Sequence, residues 1–487
     1  MLEDVIKGLK PEIMWKRFFE ITQVPRPSKR EEKILDYLRA FAAEHNIELK
    51  EDETHNIVMK VPATPGYENS PVVVMQSHID MVCEKNKGTE HDFDNDPLTL
   101  INEGEWITAK GTTLGADNGI GMAGSLSVIT DKSITHGPLE LLFTVDEETG
   151  MTGVNGLQPG FVEGRILLNM DSEEDGAFYV GCCGGQDTVG LYSFEMKQAS
   201  EGLTSYELMI TGLKGGHSGL DIHIGRANAI KLLGRLLRKL DEVNFEIADI
   251  KGGSLRNAIP REAEVTILIN KSDEDKVKSI ISGFVEESLL ECKTNDGGLA
   301  VKFEEKAGDF AKVYSKEFIE TLIKSIYAIP HGVMAMSPDI PGLVETSTNL
   351  ATIMLEDGKL RIGTSQRSSI ESAKLVVTES VRSVFELAGA EAKVGDGYPG
   401  WQPNVDSELL KISKDVFKNL FNKEPEIKAI HAGLECGLLG AKYPGMDMIS
   451  FGPTIQGAHS PDEKVNIADV ERFYALMKGM LEKIAGK

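Results

Sequence analysis

The chain has 487 residues, 41% hydrophobic and 26% charged, enough for two or three domains whose cores need no disulfide support. Its 76 acidic residues outnumber 52 basic ones for a net charge of −24, which argues against a phosphate-gripping surface and so against a nucleic-acid partner. No stretch approaches the roughly 18 apolar residues of a membrane span, and Met1–Glu20 has no signal-peptide pattern. The five cysteines, Cys83, Cys182, Cys183, Cys292 and Cys436, are odd in number and scattered. A reducing, cytoplasmic location with no membrane partner is expected; the adjacent Cys182 and Cys183 read as a buried structural pair, with a metal or redox role as the alternative.

Residues 11–45 carry apolar positions at helical spacing, among them Met14, Phe18, Ile21, Ile34, Leu38 and Phe41. Pro25-Arg26-Pro27-Ser28 interrupts them, and Ser28 is placed to cap the next helix. Strand-length apolar runs follow at Asn56–Val61, Val72–Met75, Leu139–Val145 and Ile166–Met170, with a helix over Gly119–Ile129. This rhythm predicts a mixed, mostly parallel buried sheet flanked by helices, an α/β domain. From about residue 187 the texture changes. Ser205–Thr211 and Glu264–Ile269 alternate as strands with one face in water, among the amphipathic helices Arg226–Leu240 and Asp275–Glu291. After residue 400 the buried pattern returns with helix Ser407–Leu420, the run Met446–Ser450 and helix Ile467–Ile484. The expected organisation is therefore a catalytic domain from residues 1–186 and 401–487, with an α+β lid or dimerisation domain, 187–400, inserted between them.

Polar residues concentrate where the strands end. Val72–Met75 runs into Gln76-Ser77-His78-Ile79-Asp80, Leu139–Val145 into Asp146-Glu147-Glu148, and Ile166–Met170 into Asp171. Ligands of open α/β sheets collect at the carboxyl ends of strands, so these residues share one edge. Asp117-Asn118-Gly119, ahead of a helix, and His459, in a late loop, complete the set. Two histidines with several carboxylates are the donor mixture of zinc with an open position. In a two-metal site a bridging carboxylate holds the ions about 3.5–4 Å apart. His78 and Asp80 point the same way on extended chain, which suits Asp80 to fix the imidazole ring. Adjacent Glu147 and Glu148 suit a base and a ligand. Singly, each feature has a plainer reading: a satisfied histidine, a solvated Glu-Glu pair, a turn at Asp-Asn-Gly. Four of them, each closing an apolar run or opening a helix, are hard to dismiss together. A rival is a dinucleotide-binding oxidoreductase, because Gly119-Ile120-Gly121-Met122-Ala123-Gly124 satisfies G-x-G-x-x-G. No buried strand leads directly into it, and His78, Glu147, Glu148, Asp171 and His459 would be left without a function.

These motifs resemble the co-catalytic di-zinc peptidase family that includes carboxypeptidase G, aminoacylase and the carnosinases. The resemblance implies two zinc ions, with manganese or cobalt as possible replacements. It implies His78 and Asp171 on one ion, Glu148 and His459 on the other, Asp117 bridging, and a cis peptide after Asp117. A zinc-bridging hydroxide would attack the peptide carbonyl, with Glu147 as the general base. Gly215-Gly216-His217-Ser218-Gly219 resembles the family's lid motif, whose histidine stabilises the oxyanion. Arg367 resembles the arginine that grips the substrate carboxylate, and Asn257 is a second contact or simply a turn before proline. His78–Lys85, His91–Pro97, Gly111–Gly119, Gly181–Gly185 and His431–Gly437 look like the bacterial aminoacyl-histidine dipeptidases. That branch implies hydrolysis of unblocked dipeptides, carnosine-type Xaa-His included. A homodimer is expected, and His217, which reaches across a dimer in many relatives of the family, serves its own or a neighbour's site. An aminoacylase, tripeptidase or carboxypeptidase would share the metal chemistry, and a catalytically dead relative is opposed by every expected position being filled. His431 and Glu435 stand either near the substrate or in the core.

Overall fold

The computed structural model describes residues 2–308 and 310–486. The chain divides into two compact units. One takes the residues up to Gly181, Pro403–Ala429 and those from Leu434 onward; the other takes Cys182–Gln402 and Ile430–Gly433.

The first unit is built on an eight-stranded sheet in the order Glu48–Glu51, Ile57–Val61, Leu139–Thr144, Val73–His78, Ile166–Asn169, Asp447–Ser450, Ala177–Cys182, Glu426–Ile430. Leu139–Thr144, Val73–His78, Ile166–Asn169 and Asp447–Ser450 run parallel, and antiparallel strands flank them. Every residue of Val73–His78 and Leu139–Thr144 is buried, as expected for strands covered on both faces. Helix Glu12–Thr22 packs against helix Ala116–Thr130, and helix Glu408–Phe421 against Ile467–Ala485. Phe178, Phe417, Phe451 and Phe473 join these helices to the sheet through edge-on and tilted ring contacts. The strand before the glycine fingerprint, Trp106–Ala109, belongs to a separate four-stranded antiparallel sheet. A Cβ at Gly121 would lie 2.0 Å from Asn118 Oδ1 and 2.6 Å from the Met170 carbonyl, so this glycine serves close packing beside the helix start. Ser28 does not cap the next helix, which starts at Glu32 after Glu31; its hydroxyl bonds Asp80 instead.

The second unit carries an antiparallel sheet in the order Ala300–Glu305, Thr204–Thr211, Ala263–Ile269, Phe245–Gly252, Val344–Glu356, Lys359–Ser368, Gly184–Tyr192, Glu391–Val394, with Gly332–Met336 also on Val344–Glu356. Inward residues such as Leu208, Ile247, Ile267, Leu350 and Ile362 form one core with helices Ala229–Lys239, Glu274–Asp296, Lys316–Ala328 and Glu371–Leu387. Thr204–Thr211 alternates as anticipated, but Val265–Ile269 is buried on both faces. It is an interior strand, and Lys306 reaches across to Thr266 Oγ1 (3.2 Å). No helix among the described residues is long and apolar enough to cross a membrane.

Candidate metal centre and active site

Strand geometry delivers the first unit's polar residues to one place. His78 is the last residue of its strand. After the neighbouring strand ends at Thr144, and beyond Val145 and Asp146, Glu147 and Glu148 open the short helix Glu147–Gly150. Asp171 follows the strand Ile166–Asn169. Asp117 and Asn118 have non-helical backbone at the start of helix Ala116–Thr130, and the peptide between them is cis.

His78 Nε2 lies 3.0 Å from Asp117 Oδ1 and 3.4 Å from Asp171 Oδ1. His459 Nε2 lies 3.3 Å from Asp117 Oδ2 and 3.0 Å from Glu148 Oε2. Asp117 is thus shared, one carboxylate oxygen to each group. Four donors around a tetrahedral ion at about 2.0–2.1 Å lie roughly 3.3 Å from one another, so these spacings match the edges of two coordination shells joined at Asp117. Each group also keeps its donor atoms within 4.8 Å of one another. Glu148 Oε1 is buried without a hydrogen-bond partner, a further acceptor turned toward no protein donor.

The electrostatics point the same way. Hydrogen bonds to Asp117 and Glu148 push the His459 imidazole up to about 11. Burial opposes ionisation of Asp117, yet His459 and His78 hold it well below the usual carboxylate range. Burial pushes Asp171 up, against the pull of His78.

Asp80 ties the parts together. Its Oδ1 lies 3.3 Å from His78 Nδ1 and accepts the Glu147 N–H (3.0 Å). Its Oδ2 accepts the Ser28 hydroxyl (2.7 Å) and the Glu148 N–H (3.3 Å). One carboxylate therefore lies against the His78 ring, whose Nδ1 makes no hydrogen bond, and binds the backbone N–H groups of both glutamates beyond the neighbouring strand. Burial pushes Glu147 well above the ordinary range, with Asp171, Glu435 and Glu148 adding to it against His78.

The second unit gathers His217, Asn257 and Arg367. His217 sits on a two-residue strand, Gly216–His217, paired with Ala258–Ile259. Its Nδ1 accepts the N–H groups of Gly219 (3.2 Å) and Leu220 (3.0 Å), which assigns the proton to Nε2 and leaves that atom a donor. Burial, reinforced by Arg367, lowers the pKa of the ring. Asn257 lines a cleft of about 680 Å³ with His217 and a cavity of about 290 Å³ with Arg367. Arg367 is 8% exposed; its Nη1 donates to Tyr398 Oη (3.1 Å), while its Nε has no partner. It forms no ion pair with a carboxylate among the described residues, although Asp187 and Asp396 line the same cavity.

His431 is buried in the second unit with Nε2 2.7 Å from Ser347 Oγ, and burial drives it down to about 3. Glu435 is buried in the first unit, accepting from Gln76 Nε2 (2.6 Å) and Thr144 Oγ1 (2.7 Å). Burial raises its carboxyl to about 8. All five cysteines are free thiols, and Cys183 Sγ lies 4.0 Å from Arg367 Nη1. Ser28 and Tyr398 escaped the sequence reasoning. A serine before a helix reads as a cap, and a lone tyrosine in a glycine-rich loop carries no signal.

The family model of peptidase family M20/M25/M40 matches residues 74–483. The chain is 42% identical over 483 residues to the cytosol non-specific dipeptidase of Escherichia coli strain K12, covering 99% of each. It is similar to the crystal structure of aminoacylhistidine dipeptidase from Vibrio alginolyticus, with 45% identity, 99% of each chain covered and a TM-score of 0.92. A tripeptidase structure from Staphylococcus aureus, 16% identical with 98% of this chain and 100% of that one covered, shares the fold at a TM-score of 0.56. The strand-end carboxylates and histidines thus lie on the scaffold of a known hydrolase of peptide bonds, and the chain belongs to peptidase family M20/M25/M40.

Proposed function

We propose that the protein is a cytoplasmic two-metal dipeptidase, acting on dipeptides with free termini, Xaa-His among them. The observation that carries this reading is the Asp117 carboxylate shared between His78 and His459. Full-length similarity to two dipeptidases supports the substrate class.

His78 and Asp171 would hold one ion, Glu148 and His459 the other, with Asp117 common to both. Zinc suits these donors, and manganese or cobalt would use the same ones. When bound, the ions would supply Lewis-acid chemistry, polarising the scissile carbonyl and acidifying water. Glu147 would take a proton from the attacking water and give it to the leaving amine. Asp80 fixes the His78 ring. His217 Nε2–H donates to the oxyanion as it forms. Arg367 binds the C-terminal carboxylate, and Asn257 lies next to it as a further contact. The second unit, as the lid domain of a homodimer, supplies these substrate-holding groups.

The test is a substrate panel of carnosine, a neutral dipeptide, a tripeptide and an N-acetyl amino acid, with and without chelator. Cleavage of the dipeptides alone, abolished by chelation and restored by zinc, is expected. Cleavage of only the acetylated compound would overturn the substrate class in favour of an aminoacylase.

A further inference from the structure

Glu463 is a buried carboxylate whose partners are backbone N–H groups of the loop leading to Asp117. Its Oε2 accepts from Leu114 (2.7 Å) and Gly115 (2.9 Å), its Oε1 from Ala116 (2.8 Å) and Asp117 (3.3 Å). The same loop is held by a cation. Arg26 is 1% exposed; its Nη2 donates to the Gly115 carbonyl and its Nη1 to the carbonyls of Ile79 (3.0 Å) and Asp80 (2.7 Å). The peptide unit joining Gly115 and Ala116 therefore gives its carbonyl to Arg26 and its N–H to Glu463. Those two groups of a trans peptide point in opposite directions, so the two charges face each other across it. A Cβ at Gly115, whose φ is +66°, would lie 2.5 Å from Arg26 Nη2, so only glycine admits the guanidinium.

Burying two charges is costly unless each is fully bonded, and capping a loop requires neither. What the pair achieves is positional. Arg26 holds the two residues that follow His78, Glu463 stands four residues beyond His459, and the clamped loop ends at Asp117. We infer that Glu463 and Arg26 form a clamp on the Leu114–Asp117 loop that sets Asp117 between His78 and His459, making both positioning residues for the metal pair. This rests on the two-metal reading above.

The test is Co2+ titration of metal-free protein, followed by calorimetry and visible absorption. Glu463→Gln is isosteric but turns an NH2 group toward two of the four N–H donors. It is expected to weaken Co2+ binding about 10–100-fold and to shift the absorption band. Glu463→Asp, which keeps both acceptor oxygens, recovers part of the loss. Binding of two Co2+ by Glu463→Gln with wild-type affinity and spectrum would overturn the clamp. Hydrogen exchange of metal-free wild-type protein does not depend on the variant folding: the amides of residues 114–117 should be protected, and exchange at an open-loop rate would overturn the inference. Wild-type protein that binds fewer than two Co2+ would instead overturn the two-metal reading, and the exchange result would still decide the clamp.

Discussion

Asp117 Oδ2 lies 3.3 Å from His459 Nε2 although 342 residues separate them in the chain. The other oxygen of the same carboxylate meets His78, so removing it strips one donor from each group. Asp117→Ala is expected to lower bound metal below two ions per chain and to abolish turnover. Elemental analysis of the purified variant measures this, and two tightly held ions would remove Asp117 from its bridging role.

Glu147 lies beside His78 and Glu148 and bonds neither histidine. Glu147→Gln should keep both ions and lower kcat by about 10²–10⁴-fold, the range for loss of a positioned proton-transfer group. Metal content and kcat measured together separate the two roles. Wild-type kcat would refute the base assignment, and lost metal would make Glu147 a ligand.

Arg367→Lys keeps the charge and loses the planar fork. A lost charge-assisted hydrogen bond of about 1.5–3 kcal/mol corresponds to roughly 10–100-fold weaker kcat/KM for dipeptides with a free carboxylate. C-terminally amidated dipeptides should be unaffected by the substitution. An equal loss on both substrates would show that Arg367 does not read the carboxylate.

His431 adds a pH dependence to stability. Burial holds the folded ring near 3, whereas the unfolded ring titrates near 6.5. The unfolded chain therefore binds the extra proton first as pH falls. The stabilisation is complete above about pH 6.5 and is lost between there and about pH 3, by up to about 1.4 kcal/mol per pH unit. His431→Gln should flatten the fall of Tm over this window relative to wild type. Parallel Tm curves for the two proteins would show that His431 is not the group concerned.

The strand ends were legible because a buried parallel strand is a continuous apolar run, so the first polar residue after it marks the sheet's edge. That placed His78, Glu147, Glu148 and Asp171 on one edge. Their shared contacts with Asp117 and His459 came from the family resemblance, since no periodicity carries contact across hundreds of residues. Arg26 and Glu463 were not legible for a related reason. Their partners are carbonyls and N–H groups, which every residue possesses, and Glu463 meets Gly115 across 348 residues. The long hairpin Val344–Glu356 to Lys359–Ser368 did have a local signal, Asp357-Gly358, with φ of 48° and 74°.

Two metal ions are expected to act together at Asp117. Metal-free protein titrated with zinc, with dipeptide hydrolysis followed at each addition, tests it most directly. Activity should rise to a plateau at two ions per chain. A plateau at one ion, or full activity in thoroughly metal-free protein, would contradict it.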